Sequence, residues 1–201
     1  GVNKIWLIVG GIFSALEPLA FLAMALFAVY MYRKGEKSHP NKIALFWTIG
    51  ASIVSFIGAG LLGFAHTLPQ TNIYTHGTLV TAMHGHYAFW GAYAMIVLAI
   101  ISYALPNITG RKLYDSTRGH MAFWLSNIGM LGMTVAFGVA GVAQVYMERK
   151  MKMDFMDVQN EISIHFVVLL LCATLFTTGI TLYILEFIKY GKPTDEALIK
   201  E

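Results

Sequence analysis

The chain has 201 residues, of which 57% are hydrophobic and only 12% charged, and its mean hydropathy is +0.61. A soluble domain carries about 25% charged residues, so a water-solvated enzyme, a nucleic-acid-binding module and a disordered tail are excluded. The net charge of +3 sits in connecting segments, where it bears on membrane orientation, and the lone Cys172 lies inside an apolar run, which excludes a disulfide framework or a cysteine metal site. The chain opens Gly1-Val2-Asn3 without an initiator Met, which points to processing or truncation.

Five apolar stretches follow in chain order: Ile5 to Tyr32, Ile43 to Phe64, Thr78 to Leu105, Met121 to Met147 and Ile162 to Leu185. Each exceeds the roughly 20 residues a helix needs to cross the hydrocarbon layer, and inside lipid only helices or closed barrels satisfy the backbone. The ten-residue alternating segments of a barrel, roughly what that fold needs, are absent. The predicted fold is all-α: a polytopic transmembrane helix bundle forming one domain over residues 1–201. Gly35 with Pro40, Pro69, Pro106 with Gly110, and Gly191 with Pro193 mark the links between spans. Asn107-Ile108-Thr109 matches a glycosylation sequon and reads as a chance occurrence in a tight loop.

In the first stretch, Glu17 is the carboxyl group in the interior of a span. It either bonds a neighbouring helix as a neutral acid or takes part in a proton relay. Pro18 follows at once and removes a backbone donor, which predicts a helix kinked or opened at this carboxyl, with the carbonyl near Ser14 freed as an acceptor.

In the third stretch, His84 and His86 lie about two turns inside the span, where an ionisable side chain is costly and usually functional. Successive helical residues are turned by about 100°, so positions i and i+2 diverge by roughly 200° and cannot clamp one ion together. They can hold two separate metal centres, one on each face, and haem iron is the centre that takes a proximal His inside an apolar bundle. The competing reading is a pair of helix–helix hydrogen bonds. Ala82, Gly85, Ala88, Gly91 and Ala92 leave room beside this helix for a macrocycle or a close partner helix. His66 and His165 read as ordinary interfacial histidines.

In the last stretch, Glu186 is expected at the end of the span beside Lys189 in a solvated salt bridge. The aromatic residues, 13% of the chain, and the eleven Met fill irregular space in any polytopic protein and would also pack around haem.

Orientation follows from Lys and Arg, which favour the cytoplasmic flank. One side carries Arg33, Lys34, Lys37, Lys42, Arg111, Lys112, Arg118, Lys189, Lys192 and Lys200; the other carries Lys4, Arg149, Lys150 and Lys152. The N-terminus and the His76 loop are therefore expected outside and the C-terminus in the cytoplasm.

The stretch Tyr74-Thr75-His76-Gly77-Thr78, followed by Ala82-Met83-His84-Gly85-His86-Tyr87-Ala88-Phe89-Trp90-Gly91-Ala92-Tyr93, closely resembles the large, catalytic (cytochrome b) subunit of bacterial nitric oxide reductase, a branch of the haem-copper oxidase superfamily. Ile12-Phe13-Ser14-Ala15-Leu16-Glu17, His39-Pro40-Asn41, Gly58-Ala59-Gly60 and Gly63-Phe64-Ala65-His66-Thr67-Leu68 resemble the same family in the same order. The resemblance implies that His84 is the proximal ligand of a high-spin haem b, that His86 is an axial ligand of a low-spin haem b, and that His76 lies near the haem propionates. Glu17 matches a family glutamate implicated in proton supply or in tuning a non-haem iron, although Pro18 stands slightly earlier than the family pattern leads one to expect. The family's non-haem iron ligands and the second low-spin haem ligand have no match here, so the chain is expected to be the last five of about twelve helices, inactive alone. The implied partners are the N-terminal helices of the same subunit, a small membrane-anchored cytochrome c (a quinol-fed relative shares these motifs), the lipid bilayer and NO, with no nucleic acid.

Two other readings remain at this level. One is an oxygen-reducing haem-copper oxidase, whose copper ligands would lie upstream. The other is a non-catalytic membrane module, a di-haem electron carrier or a transporter-like bundle.

Overall fold

The structure, a computed structural model, describes residues 3–35, 41–110 and 116–190. His39, Pro40, Lys37, Arg111, Lys112 and everything from Gly191 onward lie outside the described residues. Among the described residues there is no strand, and five helical spans are long and apolar enough to cross a membrane: Lys4–Lys34, Lys42–Thr67, Leu79–Thr109, Thr117–Met151 and Ser163–Glu186. These agree to within a few residues with the stretches read from the sequence.

The first span starts where the Asn3 side chain accepts the Ile5 N–H, opening α1 (Lys4–Ser14). The helix yields at Ala15 and Leu16, and α2 (Glu17–Lys34) begins with Pro18 in its first turn. Pro18 has no N–H to offer the Ser14 carbonyl, and a first helical turn is where that deficit costs least. The predicted opening beside Glu17 is therefore present, and the backbone stays right-handed through it.

The second span begins with Asn41, which uses both ends of its amide. Oδ1 accepts the Ala44 N–H at 3.0 Å, capping α3 (Lys42–Ser55), while Nδ2 donates to the Ser102 carbonyl of the third span at 2.7 Å. The span then widens into a π-helical stretch, Phe56–Leu62, and closes with α4 (Gly63–Thr67). A short helix, α5 (Pro69–Thr75), leads to Gly77, whose φ of +75° makes the turn into the third span.

That third span comprises α6 (Leu79–Phe89), a π-helical stretch Trp90–Ala94, and α7 (Met95–Thr109), which ends on left-handed Gly110. Its start is doubly fixed. Thr78 accepts the Val80 N–H at 3.3 Å, and Gln144 of the fourth span accepts the Leu79 N–H at 2.9 Å. The fourth span is α8 (Ser116–Val145) continued by the π-helical stretch Tyr146–Met151, and α9 (Phe155–Glu161) connects it to the last span, α10 (Ser163–Tyr190).

Lipid offers no hydrophobic drive between helices, so they associate by close packing at small residues. A Cβ placed on Gly129 would come within 2.7 Å of the Cys172 carbonyl, and one on Gly179 would collide with the Ser126 backbone, which shows how tightly α8 and α10 approach. Gly138 and Gly141 of α8 do the same against Met83 and Val80 of α6. The core centres on Trp47, which is fully buried and makes edge-on contacts with Trp90, Phe123 and Tyr183 at centroid distances of 6.1, 5.1 and 5.7 Å. The first span leans on the second through Pro18 and Gly60.

One expectation is overturned by this packing. Glu186 is 2% exposed rather than solvated, and its Oε1 lies 3.4 Å from Nη1 of Arg118; the Lys189 side chain lies outside the described residues. The tight α8–α10 seam lays Arg118, 68 positions away in sequence, over the carboxylate.

Candidate functional site

The register of α6 decides where its two histidines go. Held at its first turn by Thr78 and Gln144, the helix projects His84 toward the second span and His86 toward the fourth. The divergence read from their spacing is therefore present.

His84 Nδ1 lies 3.0 Å from the carbonyl oxygen of Gly58, in the π-helical stretch of the second span. A carbonyl can only accept, so Nδ1 carries the proton and Nε2 presents a bare lone pair. This is the tautomer a metal-ligating imidazole needs, with its orientation fixed by an outer hydrogen bond. The contact depends on Gly58, because a Cβ there would lie 2.8 Å from the Ala88 nitrogen and the Tyr87 carbonyl carbon. Similarly, a Cβ on Gly91 would lie 2.6 Å from the Ser55 nitrogen. Two glycines, one on each span, thus bring the backbones together around the His84 ring.

His86 Nδ1 lies 2.8 Å from the Ala82 carbonyl of its own helix, and the ring tilts against Phe137 at 4.9 Å. His66 and His165 make similar local bonds, at 2.9 and 3.1 Å, so that feature alone does not single out His86. Its surroundings do. His86 lines an apolar groove of about 910 Å³ walled by residues including Phe89, Trp90, Val97, Met130 and Phe176. Nothing lies within 4 Å of a Cβ built on Gly85, so the space beside this imidazole is open. The small residues of the span therefore divide: Gly91 serves helix contact, whereas Ala82 and Gly85 border the groove.

On the other side, His84, Glu17, His66, Ala88 and Ala92 share a second pocket of about 340 Å³ between the first three spans. Glu17 is exposed toward it rather than bonded into a neighbouring helix. Both pockets fall in the size range of cofactor and small-ligand sites, about 300–1,000 Å³. A porphyrin needs an imidazole with a free Nε2 and an apolar recess beside it. His86 and its groove meet that demand, and His84 offers the same prepared nitrogen to the Glu17 pocket.

Sequence reasoning gave His66 no role, yet its ring stacks on His84 with centroids 5.0 Å apart and planes inclined by 24°. Its Nε2 is buried with no hydrogen-bond partner among the described residues. The signal that could have found it is Gly63, three residues before His66 on the same helix: a Cβ on Gly63 would lie 3.3 Å from His84 Cε1. His76 is exposed at the end of α5 and is not among the residues lining either pocket. Among the described residues, no three His, Cys, Asp or Glu side chains gather closely enough to hold a metal ion by themselves.

Known proteins are similar to this sequence. Residues 1–186 match the family described as cytochrome c and quinol oxidase polypeptide I. The chain is 42% identical over 200 residues to a nitric oxide reductase subunit of Stutzerimonas stutzeri, an alignment that covers 96% of this chain and 42% of that relative. The chain thus spans less than half the length of the curated relative it matches.

Proposed function

This chain belongs to the cytochrome c and quinol oxidase polypeptide I family, and from that premise we propose that it is the haem-carrying C-terminal part of a nitric oxide reductase catalytic subunit. It is a multi-pass membrane protein of the haem-copper oxidase type. The reaction proposed for the whole enzyme joins two NO, two electrons and two protons into nitrous oxide and water.

The observation that carries this reading is the pair of prepared imidazoles on opposite sides of one helix. His86, beside its apolar groove, would hold the low-spin haem b that relays electrons. His84, oriented by the Gly58 carbonyl, would hold the high-spin haem b facing the pocket that Glu17 shares. When bound, the haems supply irons that change oxidation state, and the non-haem iron's ligands would come from chain outside these 201 residues. The protein's own contribution is positional: the Gly58 carbonyl orients the His84 ring, and the apolar groove walls would form the recess beside His86. Glu17 lines the pocket and would hold or pass a proton there.

The proposed partners are the N-terminal helices of the same subunit and a small membrane-anchored cytochrome c as electron donor, favoured over quinol. His76, near the turn into the third span, would approach the haem propionates. We also place the N-terminus of this chain outside and its C-terminus in the cytoplasm of a bacterial inner membrane. In the whole enzyme, His84→Ala should remove the high-spin haem spectrum and keep the low-spin one, and His86→Ala should do the reverse. Unchanged spectra in both variants would refute the assignment.

A further inference from the structure

The Ala82 carbonyl holds one atom of His86, and one atom does not fix a plane. The torsion that turns an imidazole about its Cβ–Cγ bond has a broad minimum, and an N–H···O bond keeps most of its strength over roughly 30° of bend. With that bond alone, the His86 ring could swing while its Nε2 still pointed at the groove.

A second contact removes this freedom. The Phe137 ring of α8 lies against the His86 ring with centroids 4.9 Å apart and planes inclined by 31°. That is within the stacking range of aromatic pairs, about 4.5–7 Å. The place of Phe137 is itself fixed by the seam between α6 and α8. A Cβ on the adjacent Gly138 would lie 2.8 Å from Met83 Sδ, and one on Gly141 would run into the Val80 backbone. Gln144, further along α8, accepts the Leu79 N–H at 2.9 Å and ties the same two helices. Phe137 is half-buried and packs against the core, so its ring has little room to retreat. It is not among the residues lining the groove beside His86. The phenyl ring therefore supports the imidazole without filling the recess, and with no polar atom it can neither bind iron nor carry a proton.

We propose that Phe137 is the positioning residue that sets the plane of the His86 imidazole, and through it the ligand field of the iron joined to that ring. The inference rests on the reading of His86 as an axial ligand of the low-spin haem. Overlap between an imidazole π system and the iron d orbitals depends on the angle of the ring about the iron–nitrogen bond, which outer contacts of the ligand control. A ring held at one angle gives one set of g values; a ring free to turn gives a spread.

The test is electron paramagnetic resonance of the whole oxidised enzyme. Phe137→Leu fills most of the same space but offers no flat face, so the largest g value of the low-spin signal should shift or its line broaden, with the high-spin haem bands unchanged. Phe123→Leu makes the same exchange elsewhere on α8, against Trp47 at 5.1 Å, and should lower thermal stability while leaving the low-spin signal as in the parent. A low-spin signal unaltered in Phe137→Leu overturns the proposal. So does an equal change in Phe123→Leu, which would mark a general loosening of the bundle. Should Phe137→Leu fail to fold, Phe137→Met fills the space with a flexible chain and should give the same shift, and an unaltered signal there overturns the proposal. A parent low-spin signal that survives His86→Ala defeats the reading of His86 itself, a result distinct from any of these.

Discussion

His66 lies face to face with His84, their ring centroids 5.0 Å apart, so the imidazole proposed to hold the high-spin haem is braced on one face by a second imidazole and at its edge by the Gly58 carbonyl. The two rings come from different spans, and each has Nδ1 engaged by a carbonyl of the second span, Leu62 for His66 and Gly58 for His84. His66 would therefore bear on the iron through His84, as a positioning residue.

This arrangement predicts a difference between two substitutions at one site. His66→Phe keeps a flat ring against His84, whereas His66→Ala removes it. The iron–histidine vibration of the high-spin haem should stay sharp in His66→Phe and broaden or shift in His66→Ala. Because Nε2 of His66 is buried without a partner, His66→Phe should also be no less stable than the parent, and more stable by about 1 kcal/mol if the orphaned nitrogen costs its usual penalty. Thermal unfolding in detergent reads that difference.

Glycines of the second and third spans should respond in opposite ways. Gly91→Ala puts a methyl group 2.6 Å from the Ser55 nitrogen, and Gly58→Ala does the same at 2.8 Å from the Ala88 nitrogen, so each should cost about 1–3 kcal/mol of stability. Gly58→Ala should in addition disturb the high-spin haem, since it displaces the carbonyl that orients His84. Gly85→Ala meets nothing within 4 Å and should leave stability nearly unchanged while altering the low-spin haem spectrum. Unfolding midpoints and absorption spectra of the three variants check the pattern.

Arg118 and Glu186 should behave unequally. Arg118→Leu strips the buried Glu186 carboxylate of a charged neighbour, whereas Glu186→Gln removes the charge that needs one. Arg118 is half exposed, so solvent weakens the pair, and the expected loss for Arg118→Leu is about 1–3 kcal/mol, greater than for Glu186→Gln. A larger loss in Glu186→Gln, read by thermal unfolding, would contradict this ordering.

Gln144 joins the fourth span to the start of α6. Gln144→Ala leaves the Leu79 N–H without its acceptor, and the expected cost is about 1 kcal/mol. Hydrogen exchange in the first turn of α6 should accelerate, and spectra of both haems should broaden together, because both histidines take their register from that turn.

Much of this was legible in the sequence because it is local. The spans follow from runs of apolar residues, the opening at Glu17 from the proline beside it, and the divergence of His84 and His86 from the helical repeat. What was not legible depends on contacts between distant segments. The π-helical stretches Phe56–Leu62 and Trp90–Ala94 have no apolar period that announces them, and they flank the place where the second and third spans touch. Gly85 and Gly91 look alike in sequence, yet one borders an open groove and the other a backbone. Glu186 reads as a surface carboxylate until α8 is laid against α10, and His66 reads as an interfacial histidine until His84 is placed beside it.

The most direct test of the central claim is an electron-density map of the whole haem-loaded enzyme in a bilayer mimic. The diverging histidines predict one porphyrin on each side of the third span, the iron of one joined to Nε2 of His84 and the iron of the other to Nε2 of His86, with both Nδ1 atoms still held by the carbonyls of Gly58 and Ala82. A map in which either Nε2 faces a protein side chain, or in which both porphyrins lie on one side of that span, would contradict it.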